Sequence, residues 1–210
     1  MKRKPVLRRY TDLPGLIYLL SEKKITLLDP QTWDDRNDSY YLEVYRDQQT
    51  LKSVLAVCFT QASETYHHWR VFASGSSGVC ITFRRDTLLK TLRNHIHLRT
   101  GRVKYMKLAK IKHAKVKTAD LPFLKRYPYE DEREFRIIFD SEIKKSSMDI
   151  SIPLKSCIER ITLSPWLPHA LSSHVKQVIR SIRDCEDIPI ARSTLISNEE
   201  WKNLGERARH

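Results

Sequence analysis

Glu132 and Glu134 stand two residues apart, with Arg136 two further on, inside Tyr129-Glu130-Asp131-Glu132-Arg133-Glu134-Phe135-Arg136-Ile137-Ile138-Phe139. Five charged residues in a row, Glu130 to Glu134, give way there to an apolar run that reads as a buried strand. In an extended backbone, residues two apart share a face, so both carboxylates and the guanidinium are expected on one side of the chain. Like charges gathered at the mouth of a buried strand cost free energy unless the site uses them. A fixed pair of carboxylates suits proton transfer or the stabilisation of a developing cation. The competing reading is a solvated turn entering an edge strand, with Arg136 simply neutralising one of the glutamates.

The elements that would hold this stretch follow from apolar pattern and breakers. Residues 13–22 (LPGLIYLLSE) have helical spacing, and KITLLD after them reads as a short strand. PQTWDDRNDSYY reads as a loop rich in acids, Asp34, Asp35 and Asp38. Residues 53–59 (SVLAVCF) and GVCITF read as buried strands, separated by a polar, aromatic helix within residues 61–75. Asp86 is placed to cap a helix running to about His95. Residues 102–117 fit a basic strand with a following loop, and residues 119–127 a short helix. Strand 134–139 is followed by two more, in MDISIPL and ERITLS. Then come an amphipathic helix over 169–184, with Val175, Val178, Ile179 and Ile182 on one face, and a last strand in IPIARSTLI. Helices are interspersed without a βαβ rhythm, which predicts an α+β fold: one domain over residues 1–210, a mixed or antiparallel sheet core with flanking helices.

Length and composition agree with a globular chain: 210 residues, 40% hydrophobic, 30% charged and only five glycines. The net charge of +13 is regional. Between Asp86 and Asp120 there is no acid but ten basic residues, and Arg102, Lys104, Lys107, Lys110, Lys112, Lys115 and Lys117 form its densest part. Such a block marks an anionic macromolecule (DNA or RNA foremost), an anionic cofactor, or a merely solvated face. The four cysteines form no CxxC pair, and Cys58 and Cys80 lie in apolar runs, so reduced buried thiols are expected rather than disulfides or a zinc site. The start of the chain lacks the apolar core of a signal peptide and no run reaches membrane-spanning length, so a cytoplasmic protein is expected. No P-loop, GxGxxG, HExxH or GxSxG is present, and the adjacent His67 and His68 cannot share a helix face as metal ligands.

Six segments in register resemble a bacterial domain-of-unknown-function family, number 2971 in that series. They are Leu7-Arg8-Arg9-Tyr10; the acidic loop Asp34 to Asp38; Cys58-Phe59; Trp69 and Phe72-Ala73 leading to Gly78–Phe83; Val103-Lys104-Tyr105; and Tyr129 with Glu132 to Arg136. The resemblance runs over about residues 7–195. The acidic loop departs from the family pattern, with Arg36 in place of its proline and Asp34 in place of its asparagine. The layout is also similar, more loosely, to ADP-ribosyltransferases: an early basic element, a central aromatic segment and a late Glu-x-Glu opening a buried strand. That resemblance implies an ADP-ribosyltransferase-like fold with NAD as substrate. Arg9 would hold the dinucleotide, Glu134 would be catalytic, and Glu132 would orient or deprotonate the acceptor. By the same analogy a toxin or phage-defence effector is the expected role.

The spacing makes chemical sense of that assignment. Cleaving the nicotinamide–ribose bond creates an oxocarbenium-like centre, which a nearby carboxylate stabilises while a second one takes a proton from the nucleophile. Arg9 and Arg136 suit bidentate pairing with pyrophosphate, and Tyr10, Trp69 or Phe72 suit stacking on a base or on nicotinamide. Two rivals stand beside it. One is a metal-dependent nuclease with Asp35 or Asp38 joining Glu132 and Glu134, which Arg133 and Arg136 disfavour because such sites commonly carry a lysine after the strand acid. The other is a non-catalytic nucleic-acid-binding protein in which the basic block does the binding.

Overall fold

A computed structural model describes residues 4–73, 75–93 and 95–208; the basic start of the chain, residues 1–3, lies outside them. Strand β1 (Val6–Asp12) runs directly into helix α1 (Leu13–Glu22). The Asp12 carboxylate accepts from the Gly15 N–H at 2.8 Å, and Pro14 in the first turn suits a helix start. Lys23, in the left-handed region at φ 56°, ends the helix and turns the chain into β2 (Lys24–Leu28). A 3₁₀ turn at Pro30–Thr32 then leads to α2 (Arg36–Gln48). The segment expected to be a loop therefore contains a helix start. Asp35 is its N-cap, accepting from the Asn37 N–H at 3.0 Å, and Leu42 and Tyr45 are its buried apolar face.

Strand β3 (Ser53–Thr60) is followed by α3 (Tyr66–Phe72), capped by Thr65, then β4 (Gly78–Arg84) and α4 (Arg85–Leu92). Asp86 falls in the first turn of α4, and no side chain caps that helix, contrary to the expected role. The basic region resolves into β5 (Leu98–Arg102), β6 (Lys104–Met106) and the short α5 (Leu108–Ile111). A 3₁₀ segment, Thr118–Phe123, leads to β7 (Leu124–Arg126), and a second, Tyr127–Glu132, leads to β8 (Glu134–Ser141). The chain closes with β9 (Ser147–Ser151), α6 (Leu154–Cys157), β10 (Ile158–Leu163), α7 (His169–Ser181), β11 (Ile190–Arg192) and α8 (Glu199–Arg207). On α7, Ile179 is buried and Val175 packs on the core, but Val178 is exposed. No helix among the described residues is long and apolar enough to cross a membrane.

Among the described residues, nine strands form a mixed sheet in the order β11-β10-β4-β1-β3-β2-β9, with β8 on β3 and β5 on β8; β6 and β7 form a separate parallel ribbon. The expected α+β class is the observed one. Strand β3 pairs with β8 along its whole length but meets β1 at a single pair, Arg8↔Thr60. The sheet therefore splays apart beyond that pair. One face of β3 and β8 carries Leu55, Val57, Phe59, Phe135, Ile137 and Phe139 into the main core, so the register sends Cys58, Thr60, Glu134 and Arg136 to the other face.

Gly101 of β5 lies opposite Arg136, and a Cβ there would stand 3.0 Å from the Phe123 ring, next to Pro122. Gly101→Ala is expected to lower stability by about 1–3 kcal/mol through overpacking, measured as the midpoint of urea unfolding.

Candidate active site

Arg136 organises the site from below. Its side chain is 0% exposed and makes five hydrogen bonds, one for each guanidinium N–H. Nε and Nη2 donate to the two Glu134 carboxylate oxygens at 2.7 and 2.9 Å. Nη1 donates to Asp38 at 2.7 Å and to the Pro122 carbonyl at 3.0 Å, and Nη2 also donates to Asp38. The Trp33 ring lies 5.1 Å from the guanidinium carbon. With every donor engaged and no exposed surface, Arg136 cannot pair with a pyrophosphate. The expected dinucleotide contact is corrected to a clamp between two protein carboxylates.

The two glutamates converge by a different route from strand alternation. Glu132 ends a 3₁₀ turn and β8 begins only at Glu134; between them Arg133 adopts a left-handed backbone at φ 42°. That conformation is uncommon for a residue with a Cβ and puts a sharp turn at this point. Neighbouring groups fix it. The Thr60 hydroxyl donates to the Glu132 carbonyl, the Gln61 N–H donates to the Arg133 carbonyl at 3.0 Å, and the Glu134 N–H donates to the Tyr105 hydroxyl at 2.8 Å. Lys125 then bridges the side chains, with Nζ 2.7 Å from Glu132, 3.4 Å from Glu134 and 3.6 Å from Asp38. Tyr129 lies over the same ammonium, its ring centroid 4.6 Å away.

Three buried carboxylates thus face two buried cations. Burial alone would push the Glu134 carboxyl up, but Arg136, with Lys125, overrides it and holds the group down to about 2. Burial wins at Glu132 and raises its carboxyl despite Lys125. The pair is therefore split into a permanent anion and a more readily protonated neighbour, the environment-driven division of roles that acid–base sites use. The Cys58 thiol beside Glu134 is pushed well up by burial and by that carboxylate, and so stays protonated.

Above this floor a cleft of about 510 Å³ opens where β1 and β3 part. Glu132, Glu134, Asp38, Lys125 and Cys58 line its base; Arg8, Arg9 and Tyr10 of β1, Trp33 with Asp34 and Asp35, and Phe72 and Tyr129 line its walls. Its size is that of a small-molecule site. Arg9 donates to the Cys58 carbonyl at 3.4 Å, and Arg8 to the Ala62 carbonyl at 2.7 Å. Tyr10 is buried between a stacked His68 ring at 5.5 Å and the edge of Trp69 at 5.1 Å, while Phe72 is 39% exposed.

The expected residues fall into three groups. Arg9, Tyr10, Phe72, Glu132 and Glu134 line one cleft. Trp69 does not: it is 0% exposed, packs on Tyr10 and Cys80, and donates its indole N–H to Glu64 at 2.7 Å, so it is corrected from a stacking platform to core. Arg102, Lys104, Lys107, Lys110, Lys112, Lys115 and Lys117 are all exposed outside the cleft. They adjoin it through the β6–β7 ribbon, where Tyr105 pairs with Lys125. Lys125, Trp33 and Arg8 are lining residues the sequence reading did not assign, and all four cysteines are free thiols. Of the carboxylates of the nuclease reading, Asp38, Glu132 and Glu134 are turned onto Lys125 and Arg136, and Asp35 caps α2. No group of three His, Cys, Asp or Glu among the described residues is disposed to hold a metal ion.

No protein-family model matches the chain, so the family-2971 resemblance rests on its six segments, and no curated relative matches either. Among solved structures, Thermus sp. 2.9 DarT in complex with NAD+ aligns at 9% identity and TM-score 0.48, covering 91% of this chain and 96% of that one. Thermus sp. 2.9 DarT in complex with ADP-ribosylated ssDNA aligns at 10% identity and TM-score 0.48, covering 92% and 98%.

Arg136→Met leaves Asp38 and Glu134 buried with only the shared Lys125 as counter-charge, and a loss of about 3–5 kcal/mol is expected. In the wild type, Glu134 sits below its unfolded value, so its contribution is present above about pH 4.5 and fades as pH falls toward 2. In the variant, acid relieves the unpaired charges instead. The stability gap in urea unfolding should therefore be widest near pH 7 and narrow below about pH 4.5.

Proposed function

We propose that this protein cleaves NAD and transfers the ADP-ribosyl group, with a nucleic acid as the favoured acceptor and water as the default one. The observation that carries the reading is the bipolar cleft: an anionic floor built on Glu134 and Glu132, and arginines, Arg8 and Arg9, on the β1 wall. NAD has the matching polarity, a cationic nicotinamide ring at one end and an anionic pyrophosphate further along. Glu134, ionised at any physiological pH, stabilises positive charge at the ribose carbon as the bond to nicotinamide breaks and the ring nitrogen takes the bonding pair. Glu132 receives the proton of the nucleophile that then bonds to that carbon. Arg9, with Arg8, pairs with the pyrophosphate, and Phe72 and Tyr129 supply ring faces, with Tyr10 lining the wall behind them.

The exposed basic segment beside the cleft supports a polyanionic acceptor. Lys104 and Arg126 flank the ribbon pair that carries Lys125, and Lys107 lies over the Tyr127 ring at 4.3 Å. Basic side chains interleaved with aromatics suit a nucleic-acid strand.

The test is release of nicotinamide from NAD, with and without single-stranded DNA or RNA. Glu134→Gln should lower kcat about 10²–10³-fold, the usual loss when one charge-stabilising group is removed. Arg9→Ala should act mainly on KM for NAD. Absence of turnover with water, nucleic acid or protein acceptors would exclude the reading.

A further inference from the structure

Lys125 lines the floor of the cleft in contact with all three of its carboxylates, and neither composition nor motif pointed to it. We propose that Lys125 is a positioning residue that keeps Glu132 charged and aimed into the cleft as the proton acceptor; this rests on the transferase reading above. The geometry is specific. Lys125 Nζ lies 2.7 Å from Glu132 but 3.4 Å from Glu134, so its closest contact is with the carboxylate that Arg136 does not clamp. Glu134 already has two hydrogen bonds from Arg136; Lys125 is the cation in contact with Glu132.

Apart from Arg136, which also favours the ionised form from a greater remove, the groups packed around Glu132 work against its ionisation or leave it unaided. Glu134 on β8 and Asp38 on α2 are anions sharing the same ammonium, and Arg136 is held by those two. The Tyr105 phenol on β6 is driven upward by burial and stays neutral. His68 on α3 is driven downward by burial and is neutral near pH 7. Removing the ammonium therefore leaves a buried carboxyl among anions, whose pKa must rise. Placement on β7 suits the role: β7 pairs with β6, whose Tyr105 fixes the Glu134 backbone, so the neighbouring carboxylate and the positioning cation are set by one ribbon.

The test is the pH profile of kcat/KM for nicotinamide release in the presence of acceptor. In Lys125→Met the acid limb should move up by about one to three pH units, and Lys125→Arg should return it close to the wild-type position. A merely structural lysine would lower activity at all pH values without moving the limb, and that result overturns the proposal. If the methionine variant does not fold, Lys125→Gln, which keeps a hydrogen-bond donor without the charge, carries the same expectation. A wild type without NAD turnover would defeat the transferase reading instead. The ¹³C carboxyl titration of Glu132 in wild type and Lys125→Met would still decide the role of Lys125, since equal titration midpoints refute it.

Discussion

Burying a guanidinium with two carboxylates is the constraint on which the rest of this structure turns. Moving ions out of water is expensive, and a buried ion pair gains little over an apolar pair of the same volume unless each donor and acceptor is matched. Arg136 meets that condition by donating five hydrogen bonds to acceptors on three separate elements: Asp38 from the first turn of α2, Pro122 from the segment before β7, and Glu134 from its own strand. An apolar core would hold those elements together as well. What it would not do is present a fixed, permanently charged carboxylate at the base of a cleft. The clamp is best understood as the support of Glu134, with stability as a by-product.

The second carboxylate needs different means because strand geometry does not deliver it. Glu132 lies before the strand, across a left-handed turn at Arg133 that Thr60, Gln61 and Tyr105 hold in place. Backbone strain kept at one residue by surrounding hydrogen bonds is common where a side chain must be aimed. The splay of β1 from β3 then does for the cavity what the turn does for the side chain. A full ladder between those strands would close the space, and pairing confined to Arg8 and Thr60, in the row of Glu134, leaves it open from there toward Cys58.

Much of this was legible in the chain, and what was not has physical causes. The apolar runs around Leu55, Ile81 and Ile137 announce buried strands because both core-facing and neighbouring positions are apolar, and residues 13–22 announce a helix by spacing and proline. The pairing of Glu132 and Glu134 was legible as proximity, though by the wrong geometry, since a turn and a strand start look alike in a run of charges. Trp69 was misread because a large aromatic in a polar segment looks available; its burial depends on Glu64, which satisfies the indole N–H from outside the apolar pattern. Arg136 was misread because nothing local shows that Asp38, 98 residues away, arrives to occupy it. Lys125 left no signal at all. One lysine in an irregular segment of a basic chain is indistinguishable from a solvated one until the ribbon turns it inward.

The charge of the whole chain and the charge of the cleft point in opposite directions, and that contrast carries the functional argument. A protein at +13 that only bound polyanions would have no use for three buried carboxylates gathered in one cleft. Like charges in a low-dielectric pocket repel strongly, so the cluster persists only because Lys125 and Arg136 are built in beside it. Those two cations leave the floor short of neutral by one charge, a deficit that a cationic ring or a carbon developing positive charge would fill. The exposed lysines of the neighbouring segment stay outside this balance, screened by water and separated from the floor by the ribbon itself. One chain thus holds an exposed surface suited to a polyanion and, beside it, a cleft whose floor suits a cationic centre.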